Sequence, residues 1–172
     1  MTAPLTLAAL NAMDEQAFTA ALGFVFELSP WVVRRAFAAR PFADREALYA
    51  AMIAALNAAS NEEKLALIRA HPELAGKAAI TKALTAESLS EQASAGLDQL
   101  TPAEYERFHA LNDAYRARFG FPFIICVRLN DKASILAAMQ RRTALTREAE
   151  IAEALTQIGL ISRLRLFDAV TG

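Results

Sequence analysis

Apolar residues recur at helical spacing along most of this chain, in stretches that open with clear helix-start signals. The clearest signal is Thr101-Pro102-Ala103-Glu104, which combines a capping box with a proline at the first helical position. Glycine and proline number only 6 each among 172 residues, too few for a loop-rich or all-β chain. The sequence therefore predicts an all-α protein.

Similar start signals divide the chain into roughly eight predicted helices. The predicted caps are Asp14, Ser29, Asp44, Asn61, Thr85, Thr101, either Asn130 or Asp131, and Thr146. We expect the helix after Thr85 to run from Ala86 to about Leu100, and residues 78–84 to be a short helix or irregular. No repeat or linker interrupts the pattern. The expected architecture is a single-domain helical bundle over residues 1–172 with one short extended segment.

That extended segment is Phe121-Pro122-Phe123-Ile124-Ile125-Cys126-Val127, a compact run of apolar, largely β-branched and aromatic residues. Its composition predicts the only strand-like piece of the chain. A lone strand has no sheet partner, so its backbone groups must bond elsewhere. They can bind an amide-rich ligand beside a cleft, or they can be satisfied by neighbouring helices in a buried crossover. Both interpretations are open at this point.

Charge and composition exclude several classes of function. The formal net charge is −1 and no basic block exceeds Arg141-Arg142, so no nucleic-acid partner is predicted. The single cysteine, Cys126, excludes an intramolecular disulfide and a cysteine-based metal cluster, and two distant histidines argue against a histidine metal site. No apolar run approaches the roughly 20 residues of a membrane span, and no signal-peptide pattern opens the chain. We expect a cytoplasmic protein with no membrane partner.

One of the two histidines, His71, stands where a predicted helix breaks. The helical pattern ends at Ala70, and Pro72 excludes the α region for the residue before it. An imidazole presented in this way can give or take a proton near neutral pH. A histidine at the end of a helix can equally well bond the last carbonyl groups. The residues alone do not separate catalysis from this structural role.

A second candidate cluster lies on the helix after the predicted cap Thr85. Ser88, Glu91 and Gln92 share one helical face, and their hydroxyl, carboxylate and amide suit a small polar ligand. An ordinary solvated helix face is the competing interpretation. Near the end of the chain, Arg163 and Arg165 can bind a carboxylate, or they can be solvated and complement the helix dipole.

Four motifs follow one another along the chain, and a fifth closes it. They are Leu28-Ser29-Pro30-Trp31, Ala70-His71-Pro72-Glu73-Leu74-Ala75-Gly76, the stretch from Ser88 to Leu97, the stretch from Phe119 to Arg128, and Arg163-Leu164-Arg165-Leu166. In this order and spacing they resemble one family, the 2-oxo-4-hydroxy-4-carboxy-5-ureidoimidazoline (OHCU) decarboxylases of the pathway from urate to allantoin. The resemblance spans nearly the whole chain.

The resemblance implies an all-helical carboxy-lyase that uses no cofactor or metal, is usually a homodimer, and converts OHCU to (S)-allantoin with loss of CO2. It gives His71 the role of catalytic acid/base and places Pro72 against the substrate. It implies that Ser88, Glu91 and Gln92 bind the ureido and ring groups. We expect Glu91 also to take part in catalysis, by orienting either the imidazole or the ureido group.

The resemblance further implies that one continuous segment binds the substrate through its backbone; its residues are Phe123, Ile124, Ile125, Cys126 and Val127. One arginine near the C-terminus should also reach the ligand. It looks like Arg165, with Arg163 as the rival.

The alternative function is a non-catalytic helical module of the same fold that binds a ligand or another protein. A structural His71 and a solvated face at Ser88, Glu91 and Gln92 would favour that module. An enzyme of the same fold with a related ureido or hydantoin acid as substrate has the same sequence pattern.

Overall fold

A computed structural model describes residues 4–76 and 84–172. The stretch 78–84, predicted to be a short helix or irregular, lies outside this range except for its last residue. Across the described residues, the chain forms nine α-helices and two short 3₁₀ helices, Phe37–Ala39 and Val127–Leu129. The α-helices are α1 (Leu7–Ala12), α2 (Glu15–Leu22), α3 (Pro30–Ala36), α4 (Arg45–Asn57), α5 (Asn61–Ala70), α6 (Ala86–Ser94), α7 (Pro102–Phe119), α8 (Lys132–Thr143) and α9 (Arg147–Ala169). The predicted all-α class is confirmed. No helix in these two stretches is both long and apolar enough to span a bilayer.

The chain divides into two compact units. The first extends up to Leu67 and includes Gly159–Gly172. Within it, α3 packs on α2 and α4. Large apolar side chains of these helices are fully buried, namely Phe18, Leu22, Val32, Val33, Leu48 and Met52. Burial of such side chains is the main favourable contribution to the stability of this unit.

A small parallel sheet in the first unit was not expected from the sequence. It joins β1 (Leu5–Thr6) to β2 (Val170–Thr171), with Leu5 opposite Val170. The prediction that residues 121–127 form the only strand-like piece is therefore wrong. Strands of two residues are too short to show the alternation by which a strand is recognised in a sequence.

The second unit comprises Ile68–Ile158, in which α7 packs on α8. Its core contains an aromatic cluster around Tyr115, whose ring centroid lies 4.6 Å from that of Phe119 and 5.3 Å from that of Phe123. Gly120 ends α7 in the left-handed conformation, with φ of 77°, where a side chain would be strained. The chain thereby turns directly into the apolar segment that begins at Phe121.

Most of the predicted helix caps are confirmed. Side chains that cap as predicted are those of Asp14, Asp44, Thr85, Thr101, Asp131 and Thr146. At the start of α3, the Ser29 hydroxyl donates to the carbonyl of Glu27 instead of capping. At the start of α5, Ser60 caps in place of Asn61, since its hydroxyl accepts the N–H of Glu63 at 3.2 Å.

The helix α6 is shorter than predicted. It ends at Ser94, because Gly96 takes a positive φ of 75° and the N–H of Leu97 turns back to the carbonyl of Gln92 at 3.0 Å. This is a C-terminal glycine cap. The apolar pattern continues to Leu100 on a turn that is not part of the helix.

Candidate functional site

The loop from His71 to Gly76 leaves the end of α5 inside the second unit. His71 donates its backbone N–H to the carbonyl of Ile68 at 3.2 Å, which closes the last helical turn. The residue is only 8% exposed. Pro72 prevents the helix from continuing. The sequence therefore places a largely buried imidazole at the point where the helix changes into a loop.

Two amide side chains hold this loop. The amide oxygen of Gln92 accepts the N–H of Ala75 at 3.0 Å, and its nitrogen donates to the carbonyl of Glu73 at 3.2 Å. From α7, the nitrogen of Asn112 donates to the carbonyl of Leu74 at 2.8 Å. The chain that follows His71 is thus fixed from two helices.

The predicted face of α6 is only partly solvated. Ser88 and Gln92 are 5% and 4% exposed, so the solvated-face interpretation is wrong for both. The same helix packs on the 3₁₀ helix Val127–Leu129. Burial raises the pKa of the Cys126 thiol, and the negative charge of Glu91 raises it further. The Glu91 carboxylate therefore lies within electrostatic reach of the predicted substrate-binding segment.

Among the residues that the structure describes, the segment from Phe121 to Cys126 pairs with no strand, and side chains satisfy part of its backbone. The carbonyl of Ile124 accepts a hydrogen bond from Arg142 Nη1 at 2.7 Å. The N–H of Cys126 donates to the amide oxygen of Gln157 at 2.9 Å, and its carbonyl accepts from Asn130 at 2.9 Å. The buried-crossover interpretation therefore holds for these two residues.

The peptide groups of Ile125 are arranged differently. In a trans peptide group the C=O and the N–H point in opposite directions. The Ile124 carbonyl points to Arg142, so the Ile125 N–H of the same peptide group points away from Arg142. The Cys126 N–H points to Gln157, so the Ile125 carbonyl points away from Gln157. Within residues 4–76 and 84–172, the N–H of Ile125 donates to no acceptor. This edge has the polar groups that a bound ligand would use.

The two C-terminal arginines belong to the first unit, whereas the other predicted site residues belong to the second. Arg165 is 5% exposed, and its Nη2 lies 3.0 Å from a carboxylate oxygen of Glu27. Its Nη1 donates to the carbonyl of Phe24 at 3.2 Å. Arg163 is more exposed and forms a two-pronged ion pair with Glu46, with nitrogen–oxygen distances of 2.8 and 2.5 Å.

The second unit thus carries, on a few linked elements, an imidazole, a carboxylate, a hydroxyl and the Ile125 backbone edge that faces away from Arg142 and Gln157. These groups can orient a small polar molecule and exchange a proton with it. In the described parts of the chain, no three histidine, cysteine, aspartate or glutamate side chains are grouped as metal ligands would be.

Comparison with known proteins identifies the family. A sequence model described as OHCU decarboxylase matches residues 11–167. The chain belongs to this family. It is 43% identical over 162 residues to the OHCU decarboxylase of Halalkalicoccus jeotgali, covering 94% of this chain and 90% of that protein. The OHCU decarboxylase of Haloferax volcanii is also 43% identical, with 94% of each chain covered.

A solved structure supports the relationship at the level of the fold. The crystal structure of an (S)-allantoin synthase matches this OHCU decarboxylase family member with a TM-score of 0.77 at 33% identity. The match covers 98% of this chain and 54% of the other, so the chain spans about half the length of that protein.

Sequence reasoning missed the polar residues that hold the site of this OHCU decarboxylase family member. Asn112, Arg142 and Gln157 all bond backbone groups of the loop or the segment. Of these three residues, only Asn112 could have been noticed in the sequence, because asparagine is unfavourable inside a helix and Asn112 lies in the middle of α7. The other two look like ordinary surface residues of α8 and α9.

Proposed function

We propose that the chain converts OHCU to (S)-allantoin with release of CO2, as a carboxy-lyase of urate degradation. Membership of the OHCU decarboxylase family supports this reaction. The structural observation that carries the proposal is the double hydrogen bond of Gln92, which ties the His71 loop to the helix that carries Ser88 and Glu91. A non-catalytic module of the same fold has no such support.

The reaction requires three contributions from the protein. When the bond to the carboxylate breaks, CO2 leaves and the bonding electron pair forms a double bond to the ring carbon that bears the ureido group, while the former C=N nitrogen takes up a proton. The hydroxyl on the neighbouring carbon then loses its proton and becomes a carbonyl as a proton adds to the carbon that bears the ureido group, and the face of addition fixes the S configuration. The protein must therefore turn the carboxylate out of the ring plane, stabilise the developing charge, and deliver the proton to one face.

We assign the proton delivery to His71. It is held on a loop that three side-chain hydrogen bonds fix, and a fixed donor protonates one face only. Glu91 orients either the imidazole or the ureido group, and Pro72 packs against the ring. Ser88 and Gln92 bind ureido and ring groups; the Gln92 amide keeps one N–H and one oxygen lone pair for this purpose.

Within the segment Phe123 to Val127, we assign the main substrate contact to the backbone of Ile125. Its peptide groups lie on the edge opposite to that used by Arg142 and Gln157. Arg165 is the proposed partner of a substrate oxygen, and its buried pairing with Glu27 would set the direction of the guanidinium.

A homodimer, which the family resemblance implies, and a cytoplasmic location, which the sequence pattern predicts, complete the proposal. Light scattering coupled to size-exclusion chromatography tests the assembly. A mass twice that of the chain is expected, and the mass of a single chain at micromolar concentration would contradict the dimer.

The reaction is tested in a coupled assay. Urate oxidase and hydroxyisourate hydrolase generate OHCU, its decay is followed by absorbance, and allantoin chirality is followed by circular dichroism. We expect fast formation of (S)-allantoin, lost in His71→Ala. The matched control is His109→Ala, which removes the other histidine, half-exposed and stacked on Tyr105 in α7, and should leave turnover unchanged. Slow decay to racemic allantoin by the wild-type protein would refute the proposed function.

A further inference from the structure

A buried ion pair lies beneath the predicted substrate-binding segment. Glu150 on α9 is 0% exposed and Arg142 on α8 is 3% exposed. Arg142 Nε donates to Glu150 Oε1 at 2.7 Å, and the Tyr115 hydroxyl donates to the same oxygen at 2.6 Å. Burial and the bond to Glu150 raise the pKa of the Tyr115 hydroxyl, which therefore remains a donor. The carboxylate thus fixes the guanidinium and the phenol together.

The same guanidinium contacts the segment at two neighbouring residues. Its Nη1 donates to the carbonyl of Ile124 at 2.7 Å, and its central carbon lies 4.3 Å from the ring centroid of Phe123. The first contact fixes the direction of one peptide group and the second fixes the adjacent side chain. A planar guanidinium whose other edge is bonded to a carboxylate has little freedom to rotate.

Stability alone does not account for a charged pair at this position. Taking two charges out of water costs several kcal/mol per ion, and apolar residues of similar volume often stabilise a core as well or better. Unlike an apolar pair, the ion pair supplies the Ile124 carbonyl with a hydrogen-bond donor of fixed direction.

We propose that Arg142 and Glu150 are positioning residues, which hold the peptide of Ile124 towards α8 and so direct the peptide groups of Ile125 towards the substrate. The inference rests on the proposed function. On the other side of Ile125, Gln157 fixes the backbone by accepting the N–H of Cys126. Neither Arg142 nor Glu150 touches the substrate.

The test is Arg142→Lys. Lysine keeps the positive charge, but its single ammonium group cannot bond the Glu150 carboxylate and the Ile124 carbonyl in the directions that the guanidinium uses. We expect KM for OHCU to rise about tenfold, the equivalent of one lost hydrogen bond to the ligand. A merely structural defect lowers the apparent kcat through loss of folded protein and leaves KM unchanged. The split between KM and kcat therefore separates positioning from stability.

Arg118→Lys is the matched control. Arg118 also donates to a backbone carbonyl, that of Leu145 at 3.0 Å, and also lies over a phenylalanine ring, that of Phe119, but it is exposed on α7. Its KM should equal that of the wild type. Should Arg142→Lys not fold, Glu150→Gln, which removes the charge at almost constant shape, is measured in its place with the same expected rise in KM.

The outcomes distinguish the two proposals. A wild-type protein that does not accelerate OHCU decay refutes the proposed function itself. An active wild-type protein whose folded Arg142→Lys or Glu150→Gln variant has an unchanged KM overturns the positioning role and leaves the function standing.

Discussion

The amide oxygen of Gln92 accepts the backbone N–H of Ala75 at 3.0 Å, four residues after the proposed proton donor. Ala75 has a positive φ of 52°, a conformation that costs free energy for any residue with a side chain. The hydrogen bond to Gln92 helps to hold that conformation. Through it, the helix that carries Glu91 also determines the path of the loop that carries His71.

Replacement of Gln92 should therefore impair folding as well as activity. Gln92→Ala leaves the N–H of Ala75 and the carbonyl of Glu73 without their partner, and we expect a loss of about 1–3 kcal/mol in the free energy of unfolding. Urea denaturation followed by circular dichroism measures this loss. Gln92→Glu keeps the acceptor for Ala75 but replaces the donor to Glu73 with a buried carboxylate, so it should lose at least as much. Wild-type stability in Gln92→Ala would show that the loop does not depend on this amide.

The thiol of Cys126 reports on the charge of Glu91. Because burial and the carboxylate both raise the pKa of this thiol, it should react slowly with a disulfide reagent, and only at alkaline pH. Glu91→Gln removes the charge and should move the pH profile of the reaction rate to lower pH. An unchanged profile would place the Glu91 carboxylate too far from the segment to act there.

An exposed ion pair in the first unit predicts a local pH effect. Glu63 accepts two bonds from Arg35 and one from the N–H of Ser60, which lower its pKa from 4.5 to about 2. The contribution of this carboxylate to stability is complete above about pH 4.5 and is lost as the pH falls through about 2. Carbon-detected NMR titration should show the low pKa, and Arg35→Ala should raise it. A titration near 4.5 in the wild type contradicts the pairing.

The two arginines near the C-terminus should differ in their importance for stability. Glu27→Ala leaves the buried Arg165 guanidinium without its carboxylate, and we expect a loss of about 3–5 kcal/mol in the free energy of unfolding. Glu46→Ala breaks the exposed pair with Arg163 and should change stability little. Equal losses in the two variants, measured by urea denaturation, would contradict this assignment of burial.

The sequence predicted the helices well because their start signals are local. A capping box such as Thr101 with Glu104 needs only the four residues that form it. Adjacent residues that can both cap are not distinguished by such a signal, as with Ser60 and Asn61 at the start of α5. The β1–β2 pair was beyond prediction, since each strand has two residues and Leu5 meets a partner at the far end of the chain.

For the candidate site, the motifs predicted the residues but not the contacts that hold them. Arg142 follows Arg141 in the sequence and looks like part of a solvated basic pair, yet only its neighbour is exposed. Glu150 likewise resembles any acidic residue in the first turn of a helix. Charged residues are rarely buried, so a sequence pattern assigns them to the surface unless their partners are known.

The parallel pairing of Leu5 with Val170 brings the first and last described elements side by side. A short flexible peptide can join two elements that lie this close, and a new opening can then be made elsewhere in the chain. A circularly permuted form, opened for example at the exposed turn after Gly96, is therefore within reach of protein engineering. In that form the first unit would be continuous in sequence instead of being assembled from two distant parts of the chain.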